Sequence, residues 1–167
     1  MLHSFQMTRE EVLADLGLAL PALPAPGGNY LSAKRVGALI YLAGVISTNT
    51  SGVMTGTVGL DCSVAEGYSA ARACALLQLA GLQQELGSLE AVAEVISVNG
   101  YVNAVSGFAD SPAVINGASD LLVHVFGEAG KHVRAAVGVS ALPKNAIVEI
   151  QMTVRAAQEK VEGKNDD

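Results

Sequence analysis

The stretch from Ser63 to Gly87 constrains the fold more than any other part of the sequence. Ser63-Val-Ala-Glu66 is an S-x-x-E capping box, the start signal of a helix. Tyr68, Ala71, Ala75, Leu79, Leu82 and Leu86 then recur at three and four residues, the spacing of one helical face. Gly87 supplies a left-handed stop. Ala70, Ala71, Ala73, Cys74 and Ala75 are small, so this helix can lie close to a sheet. The rest of the chain has to provide that sheet.

Strand patterns flank the helix. Residues 30–36 and 38–47 read as two strands meeting at Gly37, the second almost wholly apolar, as a strand covered on both faces would be. Residues 48–60, rich in Gly and Thr, read as a loop. Residues 92–105 are β-branched and alternating, and form a third strand. Asp110-Ser-Pro112 offers a cap and an early proline for a second helix, which runs to about Phe126 and stops at Gly127. Residues 133–139 and 146–154 are the last strands. Ahead of this body, Thr8 and Glu11 make a second capping box for a short helix over residues 8–18. Three prolines in residues 20–29 then hold the chain extended as a linker. The order is ββαβαββ, an α+β fold with one sheet and two helices on one face. The domain division follows: residues 1–27 as N-terminal helix and linker, 28–157 as the body, and 158–167 as a charged tail.

Composition narrows the function. Of 167 residues, 50% are hydrophobic and 16% charged, against a usual charged share of about 25%. That balance excludes a disordered chain and leaves two readings, a surface rich in Ser, Thr, Asn and Gln or an oligomer that hides one face, of which the second is favoured. The net charge is −6 with no basic stripe and no Trp, so phosphate neutralisation and base stacking have little to work with. Cys62 and Cys74 make no disulfide framework, and His3, His124 and His132 lack metal-ligand spacing. The start lacks a signal-peptide pattern and no apolar run reaches bilayer length, which reads as cytoplasmic.

No nucleophile elbow, P-loop or paired-carboxylate motif is present. A few polar residues in apolar surroundings are the candidates. Arg134 opens an otherwise apolar strand, and Glu149 sits in the next one within Ile147-Val-Glu-Ile150. One reading is a structural Arg–Glu pair between neighbouring strands. The other is a guanidinium fork holding a small carboxylic acid bidentately. Asn116, before Gly117, is either the cap of a helix that starts late or a polar group facing a site. Tyr30 is either a packed core tyrosine or a phenol closing over a pocket.

Arg134-Ala-Ala-Val137, Ala141-Leu-Pro-Lys144 and Val148-Glu-Ile150 together resemble the R-x-x-V…LP…(V/I)E(I/V) signature of the YjgF family, whose enzymes are also called Rid proteins, the reactive-intermediate/imine deaminases. The likeness extends back through Asn116, Ala70-Ala-Arg72, Leu86-Gly-Ser-Leu89, Gly44 and Gly28-Asn-Tyr30, covering about residues 28–155. The Leu-Gly-Leu-x-Leu-Pro opening and Val114-Ile-Asn-Gly-Ala-Ser-Asp120 look like a separate branch with an N-terminal extension.

The resemblance implies a chorismate-mutase-like fold and a homotrimer with pockets between subunits. It implies that Arg134 grips the carboxylate of a 2-imino or 2-enamino acid and that Glu149 positions the attacking water. Tyr30, Asn116, Gly44 and the backbone at Ala136 would line the cleft. The products would be a 2-keto acid and ammonia, with no metal or cofactor. The sequence departs from the pattern at Ala43, where the family often has serine, at Ala136, where it often has cysteine, and at Asn29, in place of proline. These departures leave open a non-catalytic binder of small carboxylates. The ribonuclease or translation-inhibitor role written beside the family name ranks last, because the acidic, aromatic-poor chain gives RNA little to hold.

Overall fold

The computed structural model describes residues 6–158. Residues 159–167 of the expected charged tail (158–167) lie outside them. One six-stranded sheet carries the order β1 (Ala33–Val36), β2 (Leu39–Leu42), β8 (Val148–Ala156), β6 (Val92–Asn103) and β7 (Val133–Val139), with β3 (Val45–Ile46) also paired to β8. All pairings are antiparallel except β6 with β7, which is parallel. Helices α2 (Val64–Leu86) and α3 (Ser111–Phe126) pack against this sheet and each other. The expected α+β architecture is therefore present.

Local chemistry accounts for the helix ends. Both capping boxes form: Thr8 with Glu11, and Ser63 with Glu66. Gly87 closes α2 in the left-handed region at φ 84°. Helix α1 (Arg9–Asp15) is shorter than the expected 8–18 and is docked on the body. Leu13 is buried, Glu10 accepts from the Leu89 N–H, Arg9 donates to Leu89 O, and its guanidinium lies 4.6 Å from the Phe126 ring centre. No helix among the described residues is long and apolar enough to cross a membrane.

Several expectations change in the structure. The strand expected over residues 38–47 is broken at Ala43-Gly44 into β2 and β3. It is not covered on both faces either, since Tyr41 is 46% exposed. The loop after it contains a small hairpin, β4 (Thr48–Asn49) with β5 (Gly52–Val53). Helix α3 starts at Ser111 with Asp110 at its N-cap, so Asn116 is an interior, exposed helix residue and not a cap. Gly117 has a packing reason instead. A Cβ there would fall 2.0 Å from the backbone oxygen of Tyr68, so only glycine lets α3 approach α2 this closely. Because the obstacle is backbone, Gly117→Ala is expected to cost about 2–3 kcal/mol, read as a lower urea midpoint at unchanged slope.

The sheet has two unlike faces. Val98, Val102, Ile150 and Met152 are fully buried on the helix side. On the other side Tyr41, Thr153, Ser97 and Val133 lie in register across four strands, and Val137 lies opposite Tyr101. Val133 is 71% exposed on this side.

Candidate functional site

The break at Ala43-Gly44 lines a cleft. Where β2 leaves β8 and β3 has not yet joined it, backbone carbonyls lose their ladder partners. Buried Gln78 of α2 fills the gap, donating to Ala43 O at 3.0 Å and Ile150 O at 2.7 Å. Gln151 donates to Leu42 O at 3.0 Å. A fixed break of this kind opens a cavity of about 300 Å³ at the sheet edge. Leu23, Pro26, buried Leu77, Pro143 and Lys144 are among the residues that line it.

Glu149 enters this cleft. It alternates with fully buried Ile150, so its side chain points away from the core. A Cβ on Gly44 would lie 2.6 Å from its Oε1, so the glycine leaves room for the carboxylate. Burial lifts the Glu149 carboxyl above the usual glutamate value. A carboxylate held this way is a better proton acceptor than an exposed one.

Tyr30 lines the same cleft, with its hydroxyl accepting from the Gly27 N–H at 3.1 Å. It is 52% exposed, so it is not a packed core tyrosine. The proline-containing residues 23–27 do more than link: they are part of the cleft wall.

Arg134 is elsewhere. Strand β6 separates β7 from β8, so Arg134 and Glu149 are not on neighbouring strands, and no ion pair joins them. Arg134 is in register with buried Val98, whereas Glu149 is in register with Tyr101. The two side chains therefore leave opposite faces of the sheet. Arg134 donates through Nη1 to Ser119 Oγ at 3.1 Å and through Nη2 to Pro112 O at 3.4 Å, both on α3. Pro112, Asn116 and Ser119 share one helical stripe, which puts Asn116 beside the guanidinium. Ala136, two residues after Arg134, is half-buried on the same face. The sequence-derived residues thus fall into two groups: Tyr30, Gly44 and Glu149 at the cleft, and Arg134, Asn116 and Ala136 at the α3–β7 edge.

A family model described as "YjgF/chorismate_mutase-like, putative endoribonuclease" matches residues 10–155. The chain belongs to the YjgF/chorismate-mutase-like family. It is 44% identical over 144 residues to Protein TCP17 of Trypanosoma cruzi, covering 85% of this chain and 90% of that protein. It is 30% identical over 139 residues to a 2-iminobutanoate/2-iminopropanoate deaminase of Dermatophagoides farinae, covering 82% and 93%. The crystal structure of Atu1372, a protein of unknown function from Agrobacterium tumefaciens, superposes with a TM-score of 0.82 at 40% identity, covering 89% and 92%.

Within this YjgF-family chain, the Arg134 and Glu149 elements run close together in sequence and apart in space, while Pro143 lines the same cleft as Glu149. Leu142-Pro143 opens the tight turn that carries the chain back, with Lys144 and Asn145 both at φ 55°. The strand that follows does not return beside β7 but enters on the far side of β6. Sequence reasoning missed Gln78, although its signal is visible: a polar residue three positions after Ala75, on the helix's apolar stripe.

Proposed function

We propose that this protein hydrolyses small 2-imino and 2-enamino acids to 2-keto acids and ammonia. Its sites are completed between copies of the chain in a homotrimer. The carrying observation is the pair of separated half-sites. Glu149 stands in an apolar-walled cleft, in no ion pair among the described residues and with Lys144 as the one cation lining it, and Arg134 is exposed on the opposite sheet face of the same chain. A neighbouring copy that brings its α3–β7 edge to the cleft supplies a carboxylate anchor opposite the base. The exposed Tyr41, Val133 and Val137 give that assembly an apolar surface to bury. The similarity to a 2-iminobutanoate/2-iminopropanoate deaminase supports the choice of substrate.

The chemistry is undemanding. The substrate iminium carbon, R–C(=NH₂⁺)–COO⁻, is already electrophilic. Arg134 holds its carboxylate, and Glu149 takes a proton from the water whose oxygen bonds to that carbon. Glu149 gives that proton to the nitrogen of the carbinolamine, the C–N bond breaks, and the remaining hydroxyl proton passes through Glu149 to the departing ammonia, leaving the C=O of the 2-keto acid and ammonium. Orientation of two reactants and proton transfer through one carboxylate supply the acceleration.

A second reading is a non-catalytic binder of small carboxylates, favoured by Ala43, which brings a methyl rather than a hydroxyl to the cleft. The deciding experiment follows keto-acid release from 2-aminoacrylate and its longer homologues, supplied by a pyridoxal-dependent dehydratase. Acceleration over the spontaneous rate is expected. No acceleration by the protein with any homologue would favour the binder.

A further inference from the structure

Arg134 is exposed, and a free arginine of that kind samples many rotamers. This one is held by a chain of hydrogen bonds whose direction can be read from the chemistry. His132 Nδ1 lies 2.6 Å from Gly130 O. A carbonyl only accepts, so Nδ1 carries the proton. In the neutral ring Nε2 is then an acceptor, and Ser119 Oγ, 2.9 Å away, donates to it. With its proton committed there, the Ser119 oxygen offers a lone pair to Arg134 Nη1, 3.1 Å away. Every donor and acceptor along the line, from Arg134 through Ser119 and His132 to Gly130 O, has one consistent role.

The sequence builds this arrangement from two periodicities. His132 and Arg134 are two residues apart in extended chain, so they face the same way, toward α3. Ser119 projects from α3 between them. Pro112, seven residues earlier on the same stripe, fixes the other end of the guanidinium through its carbonyl. Two of the five guanidinium N–H groups are thereby used by the protein, and three remain for a ligand.

We propose that Ser119 and His132 are positioning residues that preorganise Arg134 for the carboxylate of its substrate. This rests on the reading that Arg134 is the carboxylate anchor. Ser119 sets the guanidinium plane, and His132 sets the Ser119 hydroxyl. Ordering of the long side chain is then completed on folding and is not charged against binding. Neither residue touches the reacting carbon, so their loss weakens substrate binding rather than chemistry.

The test compares Ser119→Ala, Ser119→Thr, His132→Ala and Arg134→Ala with wild type, measuring kcat and KM for 2-iminobutanoate generated in situ. Alanine is the better helix former, so Ser119→Ala is expected to fold, with circular dichroism and the urea midpoint as checks. Ser119→Ala should raise KM about threefold to tenfold, the effect of one lost hydrogen bond, with kcat within about twofold. Ser119→Thr restores the hydroxyl and should restore KM. His132→Ala should raise KM less than Ser119→Ala does. A wild-type KM in Ser119→Ala, alongside a large loss in Arg134→Ala, overturns the positioning role and leaves the anchor standing. An unchanged KM in Arg134→Ala overturns the anchor itself, and the positioning role with it. A KM rise that Ser119→Thr does not rescue also counts against it.

Discussion

Replacing Glu149 with glutamine is expected to lower kcat for 2-iminobutanoate by about 10²–10⁴-fold, the usual contribution of one positioned general base. Glutamine keeps the shape and the contact beside Gly44 but cannot take a proton. The affinity for an unreactive product such as 2-ketobutanoate, measured calorimetrically, should stay within a few-fold of wild type. The pH dependence follows from the environment of the carboxyl. Burial raises its pKa, and in the proposed mechanism the deprotonated form is the active one. Activity therefore falls as pH drops through that raised value, earlier than it would for a solvent-exposed glutamate. The variant should lack this limb altogether. If its kcat matches wild type, Glu149 is not the base.

Arg134→Ala should instead act on binding. Charge-assisted hydrogen bonds are worth about 1.5–3 kcal/mol each, so losing the fork should weaken 2-ketobutanoate binding by about 10²-fold or more. Folding should be largely spared. Arg134 is exposed and pairs with no carboxylate among the described residues, so its removal leaves no orphaned buried charge. Titration calorimetry reads the first expectation and a urea midpoint the second. Undiminished affinity with a lowered midpoint would make Arg134 a structural residue.

The contrast between these two side chains shows where sequence was informative. Capping boxes at Thr8 and Ser63 and the glycine stop at Gly87 act within one turn, and the structure has all of them. The α+β architecture was legible because two helical periodicities alternate with β-branched runs. Strand adjacency was not. The turn at Pro143-Lys144 looks like a hairpin connection, yet β8 passes to the far side of β6. That is a long-range choice made by the packing of Ile150 and Met152 under the helices, and no local pattern encodes it. The break at Ala43-Gly44 was hidden for a similar reason. It depends on Gln78, thirty-five residues away, to satisfy the carbonyls it frees. Asn116 was ambiguous because an Asn-Gly pair usually marks a turn, whereas here the glycine serves the approach of α3 to the Tyr68 carbonyl.

The claim that the site is shared between copies can be tested directly by complementation. Arg134→Ala and Glu149→Gln chains carrying different tags are co-expressed, and mixed trimers are isolated by purification on both tags in turn. Around a three-membered ring of either mixed composition, one interface joins an intact Arg134 to an intact Glu149. Assayed at substrate well below the raised KM of Arg134→Ala, two nearly inactive variants should therefore yield mixed trimers with about one third of wild-type activity per trimer. Mixed assemblies no more active than either parent would contradict the shared site.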